Sequence, residues 1–144
     1  MKTIGQLLES KGNEVWAVSP ETSVYDALMV MAGKNCGALL VIEGGKLVGI
    51  FSERDYARKV VLKGKTSRVI SVREIMTEKV SCVRPDQTIR DCMAMMTDKH
   101  VRHLPVVQDN ALVGVISIGD VVKEIIHEQQ FIIEQLENYI TGGR

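Results

Sequence analysis

Gly-Ile-Phe-Ser-Glu-Arg-Asp occupies Gly49–Asp55, and Gly-Val-Ile-Ser-Ile-Gly-Asp occupies Gly114–Asp120. Both fit the frame Gly-x-x-Ser-x-x-Asp, and they lie 65 residues apart. At that offset Val15–Tyr56 aligns with Val80–Val121 without a gap, and 13 of the 42 aligned positions are identical. Unrelated chains of ordinary composition would share roughly 2 or 3. The identities include Pro20, Asp26, Leu39, Val41, Gly49, Ser52 and Asp55. The chain is an internal duplication, and whatever the frame does, it can do in two places.

Each copy reads as strand, helix, strand, strand, helix. In the first, Val15–Val18 is a short strand. Val24, Ala27, Leu28, Met31 and Ala32 then mark one face of a helix, with Ser23 and Asp26 as its cap. Ala38–Ile42 and Leu47–Phe51 form a hairpin through Glu-Gly-Gly-Lys, and a second helix runs from about Ser52 to Leu62, stopping near Gly64. The second copy repeats this with a strand at Ser81–Val83, a helix lined by Ile89, Cys92, Met93 and Met96, and a hairpin of His103–Val107 with Leu112–Ile116. Thr3–Ser10 and Ser71–Glu78 share an apolar pattern, and each reads as a lead-in helix to the repeat that follows it. The expected divisions are 1–70, 71–127 and a helical extension at 128–144. In that extension an apolar stripe continues through Ile132, Ile133, Leu136 and Ile140, which we read as a self-association seam, the alternative being that it packs back onto the domain.

A repeat of about 65 residues is marginal alone, so the two copies are expected to bury apolar surface against each other. The 144 residues are 45% hydrophobic and 25% charged, with zero formal net charge and a pI near 6.8. That balance gives no footprint for nucleic acid or an anionic membrane. No apolar run reaches membrane-spanning length, and Met1–Gln6 lacks the apolar stretch of a signal peptide. Cys36, Cys82 and Cys92 have no disulfide-framework spacing, which points to free thiols in a reducing, cytoplasmic setting.

The frame has a simple structural reading, because Ser-x-x-Asp caps helices. Its position allows more. Gly49 and Gly114 would let a ligand approach the strand end, and a helix N-terminus with a Ser hydroxyl suits phosphate. A carboxylate one turn on can accept from the hydroxyls of a ribose. Phosphate donors beside a sugar acceptor make a nucleotide pattern. His100-x-x-His103 lacks companion ligands at metal spacing. No nucleophile–base pair appears near Ser52 or Ser117, so the reading is non-enzymatic.

The paired repeats, both frames, Arg-His-Leu-Pro-Val at Arg102–Val106 and Ile-Met-Thr at Ile75–Thr77 resemble a tandem CBS-domain pair, or Bateman module. The resemblance covers about Ile4 to Ile126. It implies an α+β fold of two β-α-β-β-α repeats about a pseudo-twofold axis, here with an extended C-terminal helix. It also implies a sensor of adenosine-containing ligands such as AMP, ADP, ATP, NAD or S-adenosylmethionine, with no catalytic cofactor. Such modules commonly form homodimers and act on a protein effector, here unidentified. Carried over, the resemblance places Ser52, Arg54 and Asp55 with Val101, Arg102 and His103 in a first cleft. Ser117 and Asp120 fall with Thr22, Ala27, Cys36, Gly37 and Ala38 in a second. Thr22 becomes Gln87 in the other copy, and Pro105 becomes Leu40. Seven basic residues between Arg54 and Arg73 face one acid, Asp55, so the first cleft is expected to take the more phosphorylated ligand. Arg54 is expected to touch it, whereas Lys59, Lys63 and Lys65 read as a solvated helix face. The alternative is a structural adaptor with unoccupied clefts.

Overall fold

The structure is a computed structural model that describes residues 2–12 and 14–142. The chain divides into two compact units, one of residues 14–80 and the other of residues 1–13 with 81–144.

In the 14–80 unit, β1 (Ala17–Val18) precedes α2 (Val24–Lys34), and β2 (Ala38–Glu43) and β3 (Lys46–Ser52) form an antiparallel hairpin. We number α1 (Ile4–Lys11) first because it opens the chain, but it belongs to the other unit. Strand β1 pairs parallel with β2, giving the order β1-β2-β3. Gly44 and Gly45 have φ of 59° and 78°, the double positive φ of a two-residue hairpin turn. After α3 (Glu53–Tyr56) the helix widens into a π turn at Ala57–Val61, then α4 (Val72–Ile75) closes the unit. Its core holds Val24, Met31, Leu39, Val41, Phe51, Val60, Val72, Ile75 and Met76.

The second unit has α5 (Ile89–Lys99), the hairpin of β4 (His103–Gln108) and β5 (Ala111–Ser117), and the 23-residue α6 (Ile118–Ile140). Asp109 and Asn110 take the hairpin's positive φ in place of the glycines. Ile4, Leu7 and Leu8 of α1 join Ile89, Cys92, Met96, Leu104, Ile116 and Val121 in its core.

The lead-in helices therefore differ from the expectation: α1 packs on the second repeat, and α4 packs on the first. The exchange is symmetric in its bonds. Ile4 N–H donates to Gln87 O and Gly5 N–H to Pro85 O, while Val72 N–H donates to Thr22 O and Arg73 N–H to Pro20 O. Thr3 bridges Thr88, and Ser71 bridges Ser23. Both lead-ins carry complete capping boxes, Thr3 with Gln6 and Ser71 with Glu74. The compact units accordingly cut the chain at different places from the 1–70 and 71–127 divisions.

The expected strand at Ser81–Val83 is reduced to one parallel bridge, Val83 to Val106. Its counterpart β1 gains a further bond, Leu40 N–H to Trp16 O at 3.1 Å. Pro105 stands in the place of Leu40 and has no N–H to give. One residue explains why one copy has a strand there and the other has an isolated bridge.

Candidate functional site

Each frame ends a strand and caps a helix, as its residue types dictate. Ser52 Oγ accepts from Asp55 N–H at 3.2 Å, and Asp55 Oδ2 accepts from Ser52 N–H at 3.0 Å and from Ser52 Oγ at 3.1 Å. Ser117 and Asp120 make the same box, at 3.2 Å and 2.8 Å. The capping role is thus real in both copies.

More is built on each carboxylate. Asp55 is buried, and its Oδ1 accepts from Thr77 Oγ1 at 3.2 Å and meets Lys59 Nζ at 3.0 Å. Lys59 also donates to Ile75 O at 3.0 Å. Lys59 is therefore not a purely solvated residue, as its place in the basic run implied. In the other copy Lys11 Nζ lies 2.5 Å from Asp120 Oδ2 and donates to Val115 O at 2.6 Å. Burial pushes the Asp120 carboxyl up, but the bonds and charge of Lys11, with the Ser117 bonds, outweigh this and hold it below its ordinary value. Each copy thus sets an ammonium between the frame's carboxylate and a main-chain carbonyl.

The glycines do different work from that expected. A Cβ on Gly49 would sit 2.6 Å from Met76 Sδ and 3.0 Å from Thr77 O. One on Gly114 would sit 2.8 Å from Leu8 Cδ2. The lead-in segments cover both positions, so the glycines admit those segments and not a ligand.

Among the other expected site residues, Ala38 pairs with Ser52 across the hairpin, and Glu53 N–H donates to Gly37 O at 3.1 Å. His103 pairs with Ser117, and Ile118 N–H donates to Arg102 O at 2.8 Å. Thr22, Cys36, Gly37 and Ala38 thus share a unit with Ser52, Arg54 and Asp55, while Val101, Arg102 and His103 share one with Ser117 and Asp120. Thr22 Oγ1 lies 3.2 Å from Ser19 Oγ. Ala27 is fully buried in the core, so its side chain offers nothing to a ligand. Cys36 and Gly37 border a concavity of about 570 Å³ with Leu28, Asn35, Glu53 and Tyr56. Burial raises the Cys36 and Cys82 thiols and raises Cys92 to about 11. All three are free.

The basic run is partly spent. Arg73 binds Glu21 through Nε at 3.0 Å and through its terminal nitrogen at 2.7 Å, and also pairs with Glu43. Arg68 stacks over the Tyr25 ring. The second end also carries a cation, since Lys11 reaches it. Within the frames two charge differences remain, Arg54 against Gly119 and Glu53 against Ile118.

His100 is the left-handed C-cap of α5, matching Asn35 in α2. Among the described residues no group of three or more His, Cys, Asp or Glu could hold a metal ion, and no helix is long and apolar enough to cross a membrane.

The chain is similar to known proteins. The mitochondrial CBS domain-containing protein CBSX3 of Arabidopsis thaliana is 40% identical, over 98% of this chain and 73% of its own. The crystal structure of the CBS domain protein NE2398 is 48% identical, with a TM-score of 0.84 over 87% of this chain and 98% of its own. The CBS domain pair of MJ0100, in complex with 5′-methylthioadenosine and S-adenosyl-L-methionine, shares the fold at 22% identity, with a TM-score of 0.78 over 89% of this chain and 98% of its own. The CBS domain family itself matches residues 11–62 and 72–127, one match for each repeat. With both frames, both lead-ins and both hairpins accounted for, the chain belongs to the CBS domain family and carries a CBS-domain pair, a regulatory module.

Proposed function

We propose that this pair is a non-catalytic sensor of an adenosine-containing nucleotide, AMP, ADP, ATP or NAD. It would hold the ligand in clefts between the repeats and signal by conformational change, as a homodimer acting on a protein effector. The carrying observation is the duplicated Ser–Asp end, whose carboxylate would accept from ribose hydroxyls once the ammonium now at 3.0 Å or 2.5 Å turns away from it. The adenosine complex of the MJ0100 pair supports the ligand class. The first cleft draws on Ser52, Arg54, Asp55, Val101, Arg102 and His103. The second draws on Ser117, Asp120, Thr22, Cys36, Gly37 and Ala38.

Arg54 is the residue assigned to ligand choice, because a guanidinium grips phosphate oxygens with two parallel bonds. Calorimetric titration with AMP, ATP and NAD tests the proposal. At least one ligand binds the native chain, and Arg54→Ala weakens ATP about tenfold while changing AMP less. Binding by none of the three overturns the sensor reading, and equal loss for AMP and ATP overturns the role of Arg54. The exposed apolar length of α6 favours a second reading, an adaptor with unoccupied clefts. Thermal shift separates the two. A sensor gains RT ln(1 + [L]/Kd) and melts several degrees higher at saturating ligand, and an adaptor does not.

A further inference from the structure

Beyond the core of its unit, α6 carries a second apolar set. Val122, Ile126, Gln129, Ile133, Leu136 and Ile140 are spaced 4, 3, 4, 3 and 4 residues apart, the a/d spacing of a coiled-coil seam. The five apolar members are 46–80% exposed, and Ile132 and Tyr139 widen the stripe on one side. We propose that this face pairs with the same face of a second copy, the two α6 helices running antiparallel. The inference names the surface behind the dimer part of the proposed function and is independent of nucleotide binding.

Three observations commit it to a second copy in this orientation. The first is area. The seam with Ile132 and Tyr139 exposes on the order of 800 Å² per chain, what a standard stable interface removes from each partner. The second is charge. After Lys123 the described part of the helix holds Glu124, Glu128, Glu134 and Glu137 and no lysine or arginine. In the antiparallel register Val122 stacks on Ile140 of the second copy, Ile126 on Leu136, and Gln129 on Ile133. That register places Lys123 beside Glu137 of the second copy, twice by symmetry, and keeps Glu124, Glu128 and Glu134 off the seam. A parallel pair lets Gln129 bond Gln129 of the second copy but gives Lys123 no acid. The third is shape. Ile118, Gly119, Val122, Lys123, Ile126 and His127 line a shallow groove at the start of the helix, and this register lays the second copy's Ile140 end into it.

Sedimentation velocity on the full chain tests the proposal. The native chain sediments as a dimer at micromolar concentration. The double variant Ile133→Asp with Leu136→Asp sediments as a monomer, keeps its circular dichroism because both residues are exposed, and melts at a temperature that no longer depends on concentration. Lys123→Glu weakens the dimer about tenfold by setting two like-charged pairs face to face. Adding Glu137→Lys to it restores native affinity. A native chain that stays monomeric overturns the dimer altogether. A dimer that survives the double Asp variant overturns this surface while leaving dimerisation by another route. Lys123→Glu without effect, or without rescue by Glu137→Lys, overturns the antiparallel register.

Discussion

The two frame ends carry the same carboxylate, the same capping box and the same lysine contact, but the lysines come from different parts of the chain. Lys59 lies four residues after Asp55, on the segment that Ser52 caps. Lys11 lies 109 residues before Asp120, at the end of α1. The first end takes its lysine from its own helical segment and a further bond from Thr77 of the returning segment. The second is complete only while α1 stays docked through Ile4, Leu7 and Leu8. Withdrawing Lys11 from Asp120 therefore acts on the end of α1, whereas withdrawing Lys59 frees the Ile75 carbonyl at the end of α4. Equal sequence frames have become unequal mechanical elements.

The glycines test that comparison most severely. Gly49→Ala drives its methyl against Met76 and against the main-chain oxygen of Thr77, which cannot rotate away. The nearest atoms to a methyl at Gly114 are the Cδ2, Cδ1 and Cγ of the Leu8 side chain. We expect a loss of about 2–3 kcal/mol for the first and about 1–2 kcal/mol for the second, read by urea unfolding. Equal losses would mean that the two lead-ins are held with equal stiffness. Leu40→Pro comes next, at about 2 kcal/mol. It removes the N–H that Trp16 O accepts and trims a buried side chain, and it should reduce β1 to the single bridge of the other copy.

The lysine difference gives a smaller, pH-dependent effect. Asp120 is held below its ordinary value of 3.8 in the folded state. Its stabilisation is therefore present above that value and is lost as pH falls from about 4 through the lowered folded value. Lys11→Met should cost about 1 kcal/mol at pH 7, since the pair is partly solvated. The gap from the native chain should close in acid. A gap that stays constant from pH 7 to pH 3 would show that Lys11 contributes packing and not charge.

Much of this fold is legible in the sequence because it is written in local patterns. The hairpin at 38–52 follows from apolar runs around Gly44-Gly45, and α2 and α5 from their periodicity and caps. The exchange of lead-ins is not legible. Ile4, Leu7 and Leu8 offer the same apolar face as Val72, Ile75 and Met76, so pattern alone cannot say which repeat each one covers. Lys11 carries no local signal, because its partner is set by that exchange. Lys59 did carry one, an i,i+4 spacing from Asp55, yet the surrounding run of bases made it look like surface. Thr77 lay within the Ile-Met-Thr segment that supports the family resemblance, but its bond to Asp55 requires the bridge between Ile50 and Thr77.

The smallest expected effect is the most specific to the duplication. Pro105 interrupts the bond that Leu40 makes to Trp16 O, and the counterpart acceptor is the carbonyl of Ser81. Pro105→Leu restores an N–H at that place while Val83 N–H still donates to Pro105's carbonyl position at 3.0 Å. The new bond adds about 0.5–1 kcal/mol. Freeing the unfolded chain from proline's fixed φ takes back a similar amount, so global stability should change by less than about 0.5 kcal/mol. The local readout does not cancel in this way. The amides at 105 and at Leu40 should then both exchange slowly with solvent, and the bridge at Val83 should lengthen into a two-residue strand. A fast-exchanging amide at 105 would mean that residues 81–82 follow a different path from Trp16 and Ala17, and that the missing strand belongs to the segment and not to the proline.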